Sequence, residues 1–273
     1  GRGGGGTGGG AVTAARNVAA IVQKEWKHYF GSPIAWVVLF VWTLLFGVFF
    51  YLSFSFFVQR SAMGGHMEMG GAPPMSLNDW VVGPVFQNMA VVALFLAPML
   101  TMRLFAEEKR QGTMELLATA PITDLQIVLG KFVAAVGVFA LMLLAGFVNL
   151  LVLWHYASSG PEWRPVLLGA LAVLLCGASF MGLGLFFSTL TRNQIVAATL
   201  TFCLALVMWV LGWIDDPTSG PLTQALAYLG VTNHLEPMVR GVLDLKDLVF
   251  YLSVIAFGLF LTHQAVQTQR WRA

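Results

Sequence analysis

Six stretches of the chain, residues 34–58, 80–102, 132–154, 165–191, 193–214 and 248–269, contain no Asp, Glu, Lys or Arg, and each is at least 22 residues long. A helix rises about 1.5 Å per residue, so about 20 residues cross the roughly 30 Å hydrocarbon core of a bilayer. Helices satisfy their own backbone hydrogen bonds, which lipid cannot do. The runs are too long and too uniformly apolar for barrel strands, which alternate and need only about 10 residues. The sequence therefore predicts an all-α integral membrane fold of six transmembrane helices. The fourth and fifth, separated by little more than Arg192, form a tight hairpin. Composition agrees: 58% of residues are hydrophobic and 10% charged, against about 25% charged in a soluble domain. The first run is too long for a signal-peptide core and is not followed by a small-residue cleavage site, so it is expected to remain. Cys176 and Cys203 both fall inside spans and are expected to pack rather than to pair or bind metal.

Six spans place both ends of the sequence on one side. That side carries Arg2, Arg16, Lys24, Lys27, Arg103, Lys109, Arg110, Lys131, Arg192, Arg270 and Arg272; the other carries Arg60, Arg164, Arg240 and Lys246. The bias follows the positive-inside rule and predicts cytoplasmic termini. The net charge of +2 is then a topology signal and does not point to nucleic acid.

Residues 1–13, which include GRGGGGTGGG, are Gly-rich and read as a flexible tail without assigned function. In residues 14–33, Val18, Ile21, Val22, Trp26, Tyr29 and Phe30 recur at helical spacing, with Lys24 and Lys27 between them. This pattern predicts an amphipathic helix in the membrane interface, with Gly31, Ser32 and Pro33 making the corner into the first span. Residues 34–273 form the membrane domain. Within it, Ser76 and Asp79 are placed to cap the second span, and residues 215–247 suit an outer lid of two short helices. In the second of these, Asn233 and Glu236 have cap-like spacing and Gly241 is a helix stop.

The densest charge lies in a short internal segment, LFAEEKRQGTMELLATAPIT, within residues 103–124. Gly112 interrupts the helix arriving from the second span, and Thr113 can cap a new start with Glu115 near its positive end. Pro121 ends that short piece. Thr123 and Gln126 have capping-box spacing for the third span. The expected object is a stiff elbow, helix–break–short helix–break–helix. From the residues alone two readings stand: a solvated connector whose charges only fix topology, or a docking element for a soluble partner, with Leu116 and Leu117 anchored in the partner's groove.

The segment EEKRQGTMELLATAPIT…LGK resembles the cytoplasmic elbow of ABC-2 type transporter permeases. KEWKHYFGSPIAWVV resembles their N-terminal interfacial helix turning into the first span. RGVLDLKDLVFYLSVIAFGLFLTHQAVQTQRWR is similar to the gliding-motility and nitrous-oxide-accessory branch of that family. The resemblance covers roughly residues 16–272; the Gly-rich beginning departs from it, and His263 stands where an apolar residue is expected. It implies that the elbow couples to an ATP-binding subunit. By position Glu107, Glu108, Lys109, Arg110, Gly112, Thr113 and Glu115 inherit that role, with Lys24 and Glu25 as further candidates for the same surface. It further implies a multi-pass inner-membrane protein working as a dimer of permease halves with two ATP-binding subunits.

No G-x-x-x-x-G-K-[ST] loop, G-x-S-x-G elbow or H-E-x-x-H helix occurs in the sequence. ATP and Mg are therefore expected in a partner, with no cofactor and no catalysis in this chain. The spans hold no ionisable residue except His155 and His263 at edges, both read as packing residues; carriers driven by ion gradients usually keep such groups in the membrane. Gln87, Asn88, Phe202 and Trp209, on spans two and five, are the candidate lining of a translocation path between subunits. Met63, His66, Met67 and Met69 bring thioether and imidazole together in the first outer loop, the ligand set Cu(I) prefers. Gly177–Gly184 offers small residues at Ala178 and Gly182 for close helix approach. Two other readings remain alongside the permease. One is a non-transporting platform that moves a periplasmic partner. The other is a haem- or metal-bearing membrane enzyme subunit.

Overall fold

The computed structural model describes residues 7–64, 76–113, 122–156, 162–214 and 220–270. Among these the chain is all helical. Helix α1 is Thr7–Phe30 and α2 is Pro33–Gly64. A π-helical turn, Asn78–Val82, runs into α3, Gly83–Thr101, and α4, Arg103–Gln111, follows directly. Then come α5, Asp124–Tyr156; α6, Trp163–Leu190; α7, Gln194–Leu211; α8, Pro221–Tyr228; α9, Val231–Val239; and α10, Leu245–Arg270. Six of the helical segments are long and apolar enough to cross a membrane, as the charge-free runs require.

Local signals decide where several helices begin and end. The Thr123 and Gln126 capping box is present and reciprocal: Gln126 N–H donates to Thr123 Oγ1 and Thr123 N–H to Gln126 Oε1, each at 3.4 Å. Ser76 caps the second span through Asn78 N–H, at 3.2 Å. Gly112 adopts φ 72° and closes α4; only glycine takes that left-handed position without strain. Thr113 donates its hydroxyl to Glu108 O at 3.3 Å, and the helix it is expected to open lies outside the described residues. Asn233 does not cap α9, which starts after Gly230; its amide donates to Ala227 O at 2.9 Å. Gly241, with φ 86°, does end that helix.

Packing places α6 at the centre. Its span is the most buried, while those of α2 and α7 are the least and keep broad apolar faces outward. Between α2, α3 and α5 the core is aromatic: Trp42 meets Phe139 with ring centroids 5.3 Å apart, and Phe46 meets Phe86 at 6.3 Å. Cys176 is buried, whereas Cys203 lies exposed on α7 rather than in the core.

The small face of α6 packs inside the bundle. A Cβ placed on Gly258 of α10 would lie 2.6 Å from the backbone carbon of Gly182. The two backbones therefore touch, which only small residues permit. Gly258→Ala is expected to lower stability by about 1–3 kcal/mol through overpacking, read as an earlier unfolding midpoint in detergent. An unchanged midpoint would mean that α6 and α10 do not meet this closely.

Helix α1 does more than rest on a lipid surface. Asn17 reaches Gln126 at 3.1 Å, Ile21 sits against Gly130, and Trp26 Nε1 donates to Ala134 O at 3.0 Å. The contacts advance together along both chains, so α1 and the first half of α5 run side by side in one direction. Tyr29, at the end of α1, donates its hydroxyl to Leu100 O on α3. Burial, reinforced by the Glu25 carboxylate, pushes its phenol well above the usual range and keeps it a neutral donor.

Candidate functional site

Helices α1, α4 and α5 converge on one cation. Lys131, two turns into α5, is 1% exposed. Its ammonium donates to Glu25 Oε1 on α1 at 2.9 Å, to Glu108 Oε1 on α4 at 2.8 Å and to Leu104 O on α4 at 2.7 Å. An ammonium has three donors, so each is satisfied. The Phe105 ring lies 5.1 Å away and adds a cation–π contact. Glu25 is 6% exposed and the Glu108 side chain 13%, so two carboxylates and one ammonium are largely shielded from water together. Lys24 approaches Glu108 at 3.4 Å from a position 62% exposed to solvent, where an ion pair is worth little.

A second attachment holds α4 from the other side. The Ser188 hydroxyl, near the end of α6, accepts from Phe105 N–H and Ala106 N–H at 3.1 Å each and donates to Met102 O at 3.0 Å. It stands in the helix ladder where α3 passes into α4, the usual cause of a local bend. Lys109 donates to Thr189 O at the C-terminal end of α6, where helix carbonyls attract a cation. Gln269 of α10 donates to the same oxygen at 2.8 Å. The charged helix is thus bolted to α1, α5 and α6.

This changes the reading of several candidate coupling residues. Glu25, Glu108 and Lys109 were expected on a partner-facing surface; their side chains turn into the bundle and tether the elbow. Burying an unpaired charge costs several kcal/mol, so residues with such partners nearby turn toward them. Of the remaining candidates, Arg110 and Gly112 are exposed and Glu107 and Thr113 half-buried, while Lys24 faces solvent. Glu107 accepts from Gln111 at 3.1 Å and lies 3.9 Å from His28. Glu115, Leu116 and Leu117 fall outside the described residues. So do His66, Met67 and Met69; Met63 lies in the last turn of α2.

Of the four candidate path residues, Gln87 and Asn88 lie on α3 and Phe202 and Trp209 on α7. Gln87 opens onto a cleft of about 1000 Å³ between α2, the π-helical turn, α3 and α9. Asn88 instead donates to Pro84 O of its own helix at 2.8 Å. Phe202 packs against Phe95, with centroids 5.0 Å apart, and Trp209 is half-buried on α7.

Lys131 and Ser188 escaped the sequence reading, as did Asp247. The sequence marks Lys131 only as a topology charge flanking a span, and shows no ionisable side chain within the spans except His155 and His263 at edges. The helix begins at Asp124, well before the apolar run, which makes Lys131 an interior residue. The signal was a lone Lys between Gly130 and Phe132, a position that demands an acidic partner. At the opposite end, Asp247 in the first turn of α10 is fully buried and bonded to His234 of α9 at 2.7 Å.

The sequence model described as ABC-2 family transporter protein matches residues 19–269. The chain belongs to this family. No curated protein matches it. As an ABC-2 family member it is a multi-pass membrane protein of the permease type, the membrane part of an ABC transporter. The match takes in α1 from Ala19 onward, the elbow and all six spans, so the Lys131 junction lies wholly inside the ABC-2 region.

Proposed function

We propose that this chain is the permease subunit of an ABC-2 complex in which separate ATP-binding subunits, holding ATP and Mg, push on the elbow. The observation that carries the reading is the Lys131 junction: one ammonium joins the elbow helix α4, the entering helix α1 and the span α5. A force on α4 therefore reaches two other helices without a hinge between them. Charges in the middle of α4 hold it to the bundle, and contact with the ATP-binding subunit falls to Arg110 and to residues 114–121, with Leu116 and Leu117 as apolar anchors.

On this reading the elbow end faces the cytoplasm, in keeping with the positive charge there. Two copies, or one copy and a paralogue, flank the path. Membership of the gliding-motility and nitrous-oxide-accessory branch belongs to the same proposal and rests on the C-terminal resemblance.

A Leu116→Asp, Leu117→Asp double variant is expected to insert and fold but to lose its ATP-binding subunit. Co-purification of that subunit should fall at least tenfold, and its stimulated ATPase activity in liposomes should drop to the basal rate. Retention of both in the double variant would make the segment a connector and remove this reading.

A further inference from the structure

On the membrane side of the Lys131 junction lies a slot of about 350 Å³. The corner between α1 and α2 supplies Phe30, Trp36 and Leu39, α3 supplies Met99, and α5 supplies Val138 and Met142. The lining is mostly apolar; its polar side chains are Tyr29, Arg103 and Gln194, the last at the start of α7. Trp36, Phe40, Met99 and Leu141 around it are exposed apolar side chains, so the slot opens to hydrocarbon rather than to water. Trp36 also donates its indole N–H to Phe30 O at 3.1 Å, the amphipathic placement a Trp adopts at a membrane interface.

Arg103 stands at the boundary of this slot and also lines the polar cavity that contains Glu25, Glu107 and Glu108. Its guanidinium rests over the Tyr29 ring, 5.5 Å from the centroid. Among the described residues it is in no ion pair and no hydrogen bond. The nearby acids have other partners: Glu25 and Glu108 each give one oxygen to Lys131 and Glu107 accepts from Gln111, while Glu108 Oε2 is buried without a hydrogen-bond partner. A half-buried guanidinium with five donors and no acceptor, at the mouth of an apolar slot, is complementary to an anionic head group with a hydrocarbon tail.

We propose that this slot holds one acyl chain of an anionic phospholipid from the surrounding bilayer, with its phosphate bound by Arg103. The lipid would then join the α1–α2 corner to the start of α4, so that bilayer composition acts on the elbow. The proposal does not depend on where the ATP-binding subunit docks.

The test uses the full chain, with its ATP-binding subunit where the two co-purify, in nanodiscs of equal parts phosphatidylglycerol and phosphatidylcholine, followed by native mass spectrometry after detergent release. The expected result is one retained phospholipid per chain, phosphatidylglycerol over phosphatidylcholine by at least tenfold. Arg103→Gln should abolish that preference, Arg103→Lys should keep part of it, and Leu39→Trp should displace the lipid whatever its head group. Unfolding midpoints of the three variants serve as the folding control, and Ala145→Leu fills the slot from α5 should Leu39→Trp fail to fold. Retention of phosphatidylglycerol at the wild-type ratio in folded Arg103→Gln overturns the proposal. So does a wild-type protein that retains no phospholipid, or an efficient cross-link between two copies carrying Trp36→Cys and Met99→Cys in a Cys203→Ser background, since a second copy would then cover the slot.

Discussion

Lys131→Met should destabilise the protein by about 3–5 kcal/mol, the usual result of removing one partner from a buried ion pair. Methionine matches the length of the lysine stem but leaves Glu25, only 6% exposed, beside Glu108 with no cation between them. The two carboxylates would then repel in a poorly solvated site, and α1 and α4 should separate from α5. Denaturant unfolding in detergent measures the loss, and increased proteolysis at the elbow locates it. Adding Glu25→Gln and Glu108→Gln to Lys131→Met should restore most of the stability, since a buried ion cluster replaced by neutral groups of similar volume is often no worse. Such recovery without recovery of partner-stimulated ATPase activity would identify the cluster as a device for holding the elbow rigid. A single Lys131→Met variant as stable as the wild type would show that the three side chains do not meet.

His234→Ala should cost a similar amount, about 3–5 kcal/mol, but at the opposite end and more locally. His234 Nε2 lies 2.9 Å from the Tyr228 carbonyl, which can only accept, so that nitrogen carries a hydrogen. Nδ1 and Asp247 Oδ1, 2.7 Å apart, then share a further proton. The imidazole also stacks on Phe250, with centroids 4.0 Å apart. Removing it strands Asp247, which is 0% exposed, and unties α8 and α9 from α10. Hydrogen exchange should rise in residues 221–239 while α5 and α6 keep their protection. A uniform rise over all helices, or none, would contradict the placement of this pair as a local fastening. Asp247→Asn, whose amide N–H can donate to the bare Nδ1 of a neutral imidazole, should cost less.

Both variants test features with no local signature, and this separates what was legible in the sequence from what was not. The six spans were legible because crossing a bilayer is a condition on one contiguous segment, long and free of charge. Gly112 and the Thr123–Gln126 capping box were legible for the same reason: a left-handed turn or a cap involves residues a few positions apart. The short helix expected between them lies outside the described residues, so what followed from these signals is the stop and the start that bound the elbow.

The orientation of its charges did not follow. Glu25 and Lys131 are 106 residues apart, and Lys109 is 80 residues from Thr189. Nothing in a run of Glu, Glu, Lys and Arg says which side of its helix will face a buried ammonium. The sequence by itself determined that this protein is a six-span helical membrane chain with a charged elbow between spans two and three. Only the tertiary structure decided that Glu25, Glu108 and Lys109 tether the elbow while Arg110 faces outward. The physical reason is desolvation: a buried charge must find its counter-charge within a few ångströms, and which residues come that close is settled by how the helices pack.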